Sequence, residues 1–282
     1  MKQLDLEKKL KYIKILAFLL LSLGSIYAQD FPSTKEMPCG MTNENFLVGE
    51  KLTYTVYYNW GYLWISAGEV TFEVNQAGDQ YHFICNGTTY KRYDSVFKVR
   101  DYFESKVDTA TLLPTHFLRD VEEGKYIRYD SIAFDQEEYI VKEYIGKTKN
   151  NAKEQSFTLD HCTHDLLSII YALRNTDVDV LSPGDKLPMD VFFDKELFSL
   201  NLNYTEQISK KKIKELGKYN VTVFQPTLVT GNVFTEEAVM NIYISDDDNK
   251  IPLLIESPVT VGSVKAVLSS YEGLKYPLVE AK

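Results

Sequence analysis

The densest group of residues able to do chemistry is His161-Cys162-Thr163-His164-Asp165. Two imidazoles, a thiol and a carboxylate within one short run invite two readings. The first is a zinc site. Structural zinc takes four ligands, and a histidine pair at i, i+3 leaves the others to come from elsewhere. The second is a Cys/His hydrolase. Catalytic cysteine and histidine converge from distant segments far more often than from neighbours, and an oxidised Cys162 could not act at all. The expectation is that these residues cap a helix beside a bridged cysteine. His82 and His116 sit in strand-like stretches with no paired motif. No Gly-x-Ser-x-Gly elbow occurs. Asp246-Asp247-Asp248-Asn249 resembles the start of a calcium loop but lacks the twelve-residue frame with Gly at position 6 and Glu at position 12. It reads as a hydrated turn, because Asp and Asn bond their own backbone there. A protein without enzyme activity, cofactor or metal is expected, and a hydrolase is the second alternative.

The aromatic residues say more. Twenty Tyr, fifteen Phe and two Trp make the chain 13% aromatic, and Tyr54, Tyr57, Tyr58, Trp60, Tyr62 and Trp64 crowd one region. A curved sheet can turn one row of such residues inward to wall an apolar cavity. The wall candidates are Tyr54, Val56, Tyr58, Val70, Phe72 and Val74. The bland alternative is a solid β core with a Tyr-decorated surface.

Strands must position those rows. Leu52, Tyr54, Val56, Tyr58 and Trp60 alternate with Thr53, Thr55, Tyr57 and Asn59, a period of two in β-favouring residues. Val70, Phe72 and Val74 continue it, and Ala77-Gly78-Asp79-Gln80 reads as a hairpin turn. Further strands are expected at 81–89, 96–107, 115–121, 126–134, 138–145, 186–193, 198–209, 211–225, 238–245, 251–256 and 261–270. Short strands at even spacing, about twelve to thirteen of them, predict a mostly β fold: one large curved antiparallel sheet or open barrel. One segment departs from it. Residues 163–174 have helical spacing, with Leu166, Ile169, Ile170 and Leu173 on one face and Thr163 placed to cap the start. A lone amphipathic helix among strands packs on a sheet face or plugs a barrel end.

The N-terminus reads as a signal peptide over 1–28. Lys8, Lys9, Lys11 and Lys14 precede the apolar run 15–23, and small residues lead to Ala28. The run is too short to span a bilayer, which takes roughly 20 apolar residues. No cysteine directly follows it, so no lipid anchor is expected, and no transmembrane span is expected in the mature chain. An N-terminal loop segment (29–45) and a single β-rich domain (46–276) follow. Removing 1–28 takes away five lysines and two acids, so 31 basic and 40 acidic residues become 26 and 38. That acidic balance argues against nucleic acid and anionic membrane surfaces as partners. The three cysteines allow one internal bridge and one spare thiol. Cys85 shares a strand face with Tyr81 and Phe83, as a buried small hydrophobe would. Cys39 and Cys162 both fall in loops, and the bridge is expected between them.

Several motifs, in order, resemble a bacterial family catalogued as domain of unknown function 3108. They are Gly49-Glu50-Lys51-Leu52-Thr53-Tyr54, Ala67-Gly68-Glu69-Val70, Val99-Arg100-Asp101 with Leu113-Pro114, the helical stretch Asp165 to Arg174, Ser245 to Pro252, and Gly262 to Ala266. The likeness runs from about residue 46 to 275. It implies an exported protein of a Gram-negative bacterium, periplasmic or associated with the outer membrane, and no functional residues to carry over. The architecture is also similar to the lipoprotein carriers LolA and LolB, open half-barrels that hold acyl chains under a helical lid. That likeness is one of fold alone. The expected function is to bind a lipid or other apolar small molecule in a curved-sheet cavity. The alternative is a structural or protein-interaction module of the cell envelope, with an envelope protein as partner.

Overall fold

The computed structural model describes residues 39–60, 63–178, 180–227, 239–259 and 262–282. The expected signal segment 1–28, and residues 29–38 of the N-terminal loop, lie outside them. Eight strands come first: β1 (Lys51–Trp60), β2 (Leu63–Ala77), β3 (Gln80–Thr89), β4 (Val99–Asp108), β5 (Pro114–Glu123), β6 (Tyr126–Asp135), β7 (Ile140–Gly146) and β8 (Lys153–Thr158). The helix α1 (Ser168–Arg174) follows. Six strands return: β9 (Lys186–Phe193), β10 (Glu196–Ile213), β11 (Gly217–Pro226), β12 (Asn241–Ser245), β13 (Pro252–Pro258) and β14 (Ser263–Glu272).

All fourteen strands form one antiparallel sheet in the order β8-β7-β6-β5-β4-β3-β2-β1-β14-β13-β12-β11-β10-β9. The chain runs outward from β1 to one edge, crosses over with α1, and returns from the other edge to pair β14 with β1. The sheet is not closed: β8 and β9 are its edges. Among the described residues, no helix is long and apolar enough to cross a membrane.

Local chemistry explains most of the strands. In β4, Val99, Asp101, Phe103, Ser105 and Val107 are buried and alternate with less buried residues, the period of a strand with one face turned inward. Gly78 and Gly124 take positive φ of 59° and 60° at the tips of the β2–β3 and β5–β6 hairpins, where L-residues with side chains are disfavoured. One strand escaped the alternation. Lys153-Glu154-Gln155-Ser156-Phe157-Thr158 is almost wholly exposed, so neither face imposes a hydrophobic period. Charged residues on such an edge also discourage pairing with another chain.

The sheet curls so that its two arms meet. Phe83, Phe103, Phe117, Ile132 and Val141 of the outward arm share a core with Leu187, Phe192, Leu202 and Phe224 of the return arm. Phe192 meets the Phe134 and Phe157 rings at 6.5 and 5.2 Å. A second core gathers β1 with β11 to β14. The helix lies between the arms. Tyr171 stacks on Phe83 with ring centroids 3.8 Å apart, and Phe46 meets its ring edge-on at 5.1 Å.

The helix is shorter than 163–174, and Thr163 does not cap it. Residues 163–165 are claimed by the sheet edge instead. The His164 N–H donates to the Asp190 carbonyl at 3.0 Å, and the Phe192 N–H donates to the His164 carbonyl at 2.9 Å. This makes a parallel bridge to Val191. Asp165 then serves the first turn. Its Oδ1 accepts from the Leu167 and Ser168 amides at 2.7 and 2.9 Å, two of the donors a helix start leaves open.

Candidate functional site

The chemically richest cluster of the sequence is tied into the disulfide and the edge of β9. Cys39 and Cys162 form the bridge, with Cα atoms 5.6 Å apart. Thr163 Oγ1 donates to the Asp190 carbonyl at 3.0 Å. His161 lies against the Asp160 and Asp190 carboxylates at 2.5 and 3.1 Å. His164 is buried, contacts Ser168 Oγ at 3.1 Å through Nδ1, and burial pushes its pKa down to about 4. Asp165 Oδ2 accepts from Ser105 Oγ at 2.5 Å, and burial raises its pKa to about 6. Among the described residues, no group of three His, Cys, Asp or Glu could hold a metal ion. Asp246 to Asn249 is the β12–β13 turn. Asp247 accepts from Ser245 Oγ at 2.9 Å and from the Asn249 N–H at 3.0 Å.

A cavity of about 410 Å³ lies between the arms, inside the usual size range of small-molecule sites. Inward rows of the central strands wall it. Tyr54 and Val56 come from β1, Val70 and Phe72 from β2, and Cys85 and Gly87 from β3. The return arm supplies Leu202, Phe224 and Ile242. Ile170, Leu173 and Arg174 of α1 cover one side, and the 245–250 turn rims the opening. Four of the six residues singled out from the sequence thus border this space. Val74 does not: it is fully buried in the core with Phe46 and Phe83. Tyr58 does not either. It sits one inward step past Val56, beside Gly262 at the end of the sheet.

Arg174 sets the helix in place. Its guanidinium forms a two-pronged bond to Glu50, Nη1 to Oε1 at 2.5 Å and Nη2 to Oε2 at 2.8 Å. Its Nε donates to the Asn249 carbonyl at 3.0 Å, and Nη2 also reaches the Asn45 carbonyl at 3.2 Å. One side chain therefore ties α1 to the segment before β1 and to the cavity rim. Sequence reasoning missed this pair, because its members lie 124 residues apart.

Charge is also buried deeper on the concave face. Arg119 donates to Asp130 at 2.8 Å and lies over the Phe193 ring at 4.2 Å. Arg128 bonds Asp194 across the two arms. Glu143 and Asp130 lie buried on the neighbouring strands β7 and β6. Burial, then the Asp130 charge, raises the Glu143 pKa. Asp101 is pushed up to about 9, by burial first and by Glu123 second. The signal for Asp101 was an acid between Val99 and Phe103 on the inward row of β4.

These acids predict alkaline weakening. The folded state keeps protons that the unfolded chain has released, so it binds more protons and stability falls as pH rises. His164 titrates below neutrality and acts in the opposite direction there, so the window to read runs from neutrality to about pH 9. The melting temperature is expected to decline across it, and Glu143→Gln with Asp101→Asn to flatten the decline. A flat profile in the unaltered protein contradicts this.

Comparisons with known proteins place the chain by fold. A family model described as a protein of unknown function, DUF3108, matches residues 53–269. No curated protein matches the chain. The crystal structure of a β-barrel-like protein of domain of unknown function DUF1849 from Brucella abortus is similar with a TM-score of 0.57 at 12% identity, over 83% of this chain and 100% of that one. At that identity the likeness shows the fold alone. The hypothetical protein CT021 from Chlamydia trachomatis gives a TM-score of 0.34 at 10% identity, over 84% of this chain and 92% of that one.

Proposed function

The chain belongs to the DUF3108 family of proteins of unknown function, and from that premise we propose that it is an exported, non-enzymatic protein that holds an apolar ligand inside its curled sheet. The observation that carries this reading is the cavity of about 410 Å³, walled mainly by apolar side chains from both arms and covered by α1. Burying ligand surface there yields about 25 cal/mol per Å² of apolar area. A cavity of 150 Å³ holds one benzene, so this one has room for a chain of roughly 16 carbons. Export is supported by the basic and apolar order of residues 8–28 and by the Cys39–Cys162 bridge, since disulfides persist in oxidising compartments.

Native mass spectrometry of protein purified without detergent tests the reading. A co-purifying lipid-sized mass, lost on organic extraction and weakened by Val56→Trp, is the expected result. Apo protein alone, together with failure of an apolar fluorophore such as N-phenyl-1-naphthylamine to bind, overturns it.

A further inference from the structure

We propose that the ligand of this cavity carries a hydrogen-bond donor, an amine or a hydroxyl, which it places against Asp101 through the gap left by Gly87. The inference rests on the apolar-ligand reading and adds the chemistry of the ligand's polar end.

Strand register places the residues. Tyr54 faces Val70, Val70 faces Gly87, and Gly87 faces Asp101, one inward row across β1 to β4. The first three border the cavity. Asp101 is the next position, and only a glycine stands between. A glycine inside a strand weakens it and often marks a close approach by a ligand. Neither positive φ nor crowding demands one here. A Cβ at position 87 would meet Asp101 Cβ at 3.7 Å, and Asp101 Oδ2 and Val70 Cγ2 at 3.9 Å, all ordinary contacts. An alanine would fit, yet the space is left open.

Behind Gly87 stands an unmet polar group, with Asp101 Oδ2 3.9 Å from where a Cβ at position 87 would lie. Asp101 is 3% exposed, and neither carboxyl oxygen has a hydrogen-bond partner. The Glu122 N–H faces it without reaching bonding geometry. Arg119 is committed to Asp130 and to the Phe193 ring. Leaving such a carboxyl unpaired is costly, and a ligand donor removes that cost. The sign follows from the neighbours. Glu123 is the strongest charged neighbour of Asp101, ahead of the opposing Arg119, and Glu122 adds to it, so a ligand ending in carboxylate or phosphate is disfavoured there.

The test uses delipidated full-length protein loaded with N-phenyl-1-naphthylamine and displaced by three ligands of equal chain length: tetradecylamine, tetradecanol and myristate. The amine or the alcohol is expected to displace the dye at a concentration roughly tenfold below that of myristate, the size of one good hydrogen bond. Asp101→Leu should bring the three within about twofold. Asp101→Asn should keep a preference for the alcohol and lose one for the amine. Gly87→Val should reproduce the loss with Asp101 still present, since its side chain fills the gap. Equal displacement by all three in the unaltered protein, or a preference that survives both Asp101→Leu and Gly87→Val, overturns the inference and leaves the cavity reading standing. Failure of every ligand to displace the dye overturns both.

Discussion

Glu50→Gln and Arg174→Met each lower stability by about 3–5 kcal/mol, because each strands one charge of a buried pair. Both side chains are almost fully inaccessible, at 0% for Glu50 and 3% for Arg174. The uncompensated ion has no water to turn to, and desolving a lone charge costs far more than an exposed pair contributes. Arg174 also satisfies the Asn45 and Asn249 carbonyls, so its loss leaves two further acceptors unpaired. Urea midpoints measure the effect, with Lys51→Ala as the control at the partly exposed Lys51–Glu73 pair. The double variant Glu50→Gln, Arg174→Met should recover a large part of the loss, since it removes both charges together. If the single variants cost no more than the control, the pair does not hold α1 in place. Because Arg174 also lines the cavity, the same variants should weaken binding of an apolar fluorophore in the fraction that remains folded.

The Cys39–Cys162 bridge carries a comparable effect by another route. It joins residues 123 apart in sequence. Closing a loop of that size restricts the unfolded chain, and removing it costs about 4 kcal/mol. The bridge also fastens the segment before β1 to the crossover that leads into α1. Replacing both cysteines by serine should therefore lower the melting temperature and expose residues 39–50 to protease first. Cys85 is a useful internal check. It is buried, and burial raises its pKa, so it should stay unreactive to thiol reagents until the protein unfolds. A double-serine variant as stable as the parent would mean that packing of Phe46 and the Arg174–Glu50 pair hold this region unaided.

The sequence by itself determined the elements. Alternation in Leu52 to Asn59 or Asn241 to Ser245 is a property of one strand, set by which side of a pleat each residue occupies, and any short window displays it. The loop settings of Cys39 and Cys162 likewise singled out the pair that is bridged, and the strand setting of Cys85 its burial. The polar edge strand β8 left no such trace, since a strand solvated on both faces has no hydrophobic period. Thr163 looked like a cap, because a window of residues cannot show that the edge of β9 claims it first.

The tertiary structure alone decided the site. Tyr54, Val56, Val70 and Phe72 form one wall, but Leu202, Phe224 and Ile242 form the opposite one. They face each other only because the twist and curl of fourteen strands bring the two arms together. The same curl buries Arg174 against Glu50 and turns Gly87, the strand neighbour of Asp101, toward the cavity. Strand periodicity is a local property and is written in the residues. Curvature is a sum over the whole sheet, and the contacts it creates join residues far apart in sequence, 66 for Arg128 and Asp194 and 124 for Arg174 and Glu50.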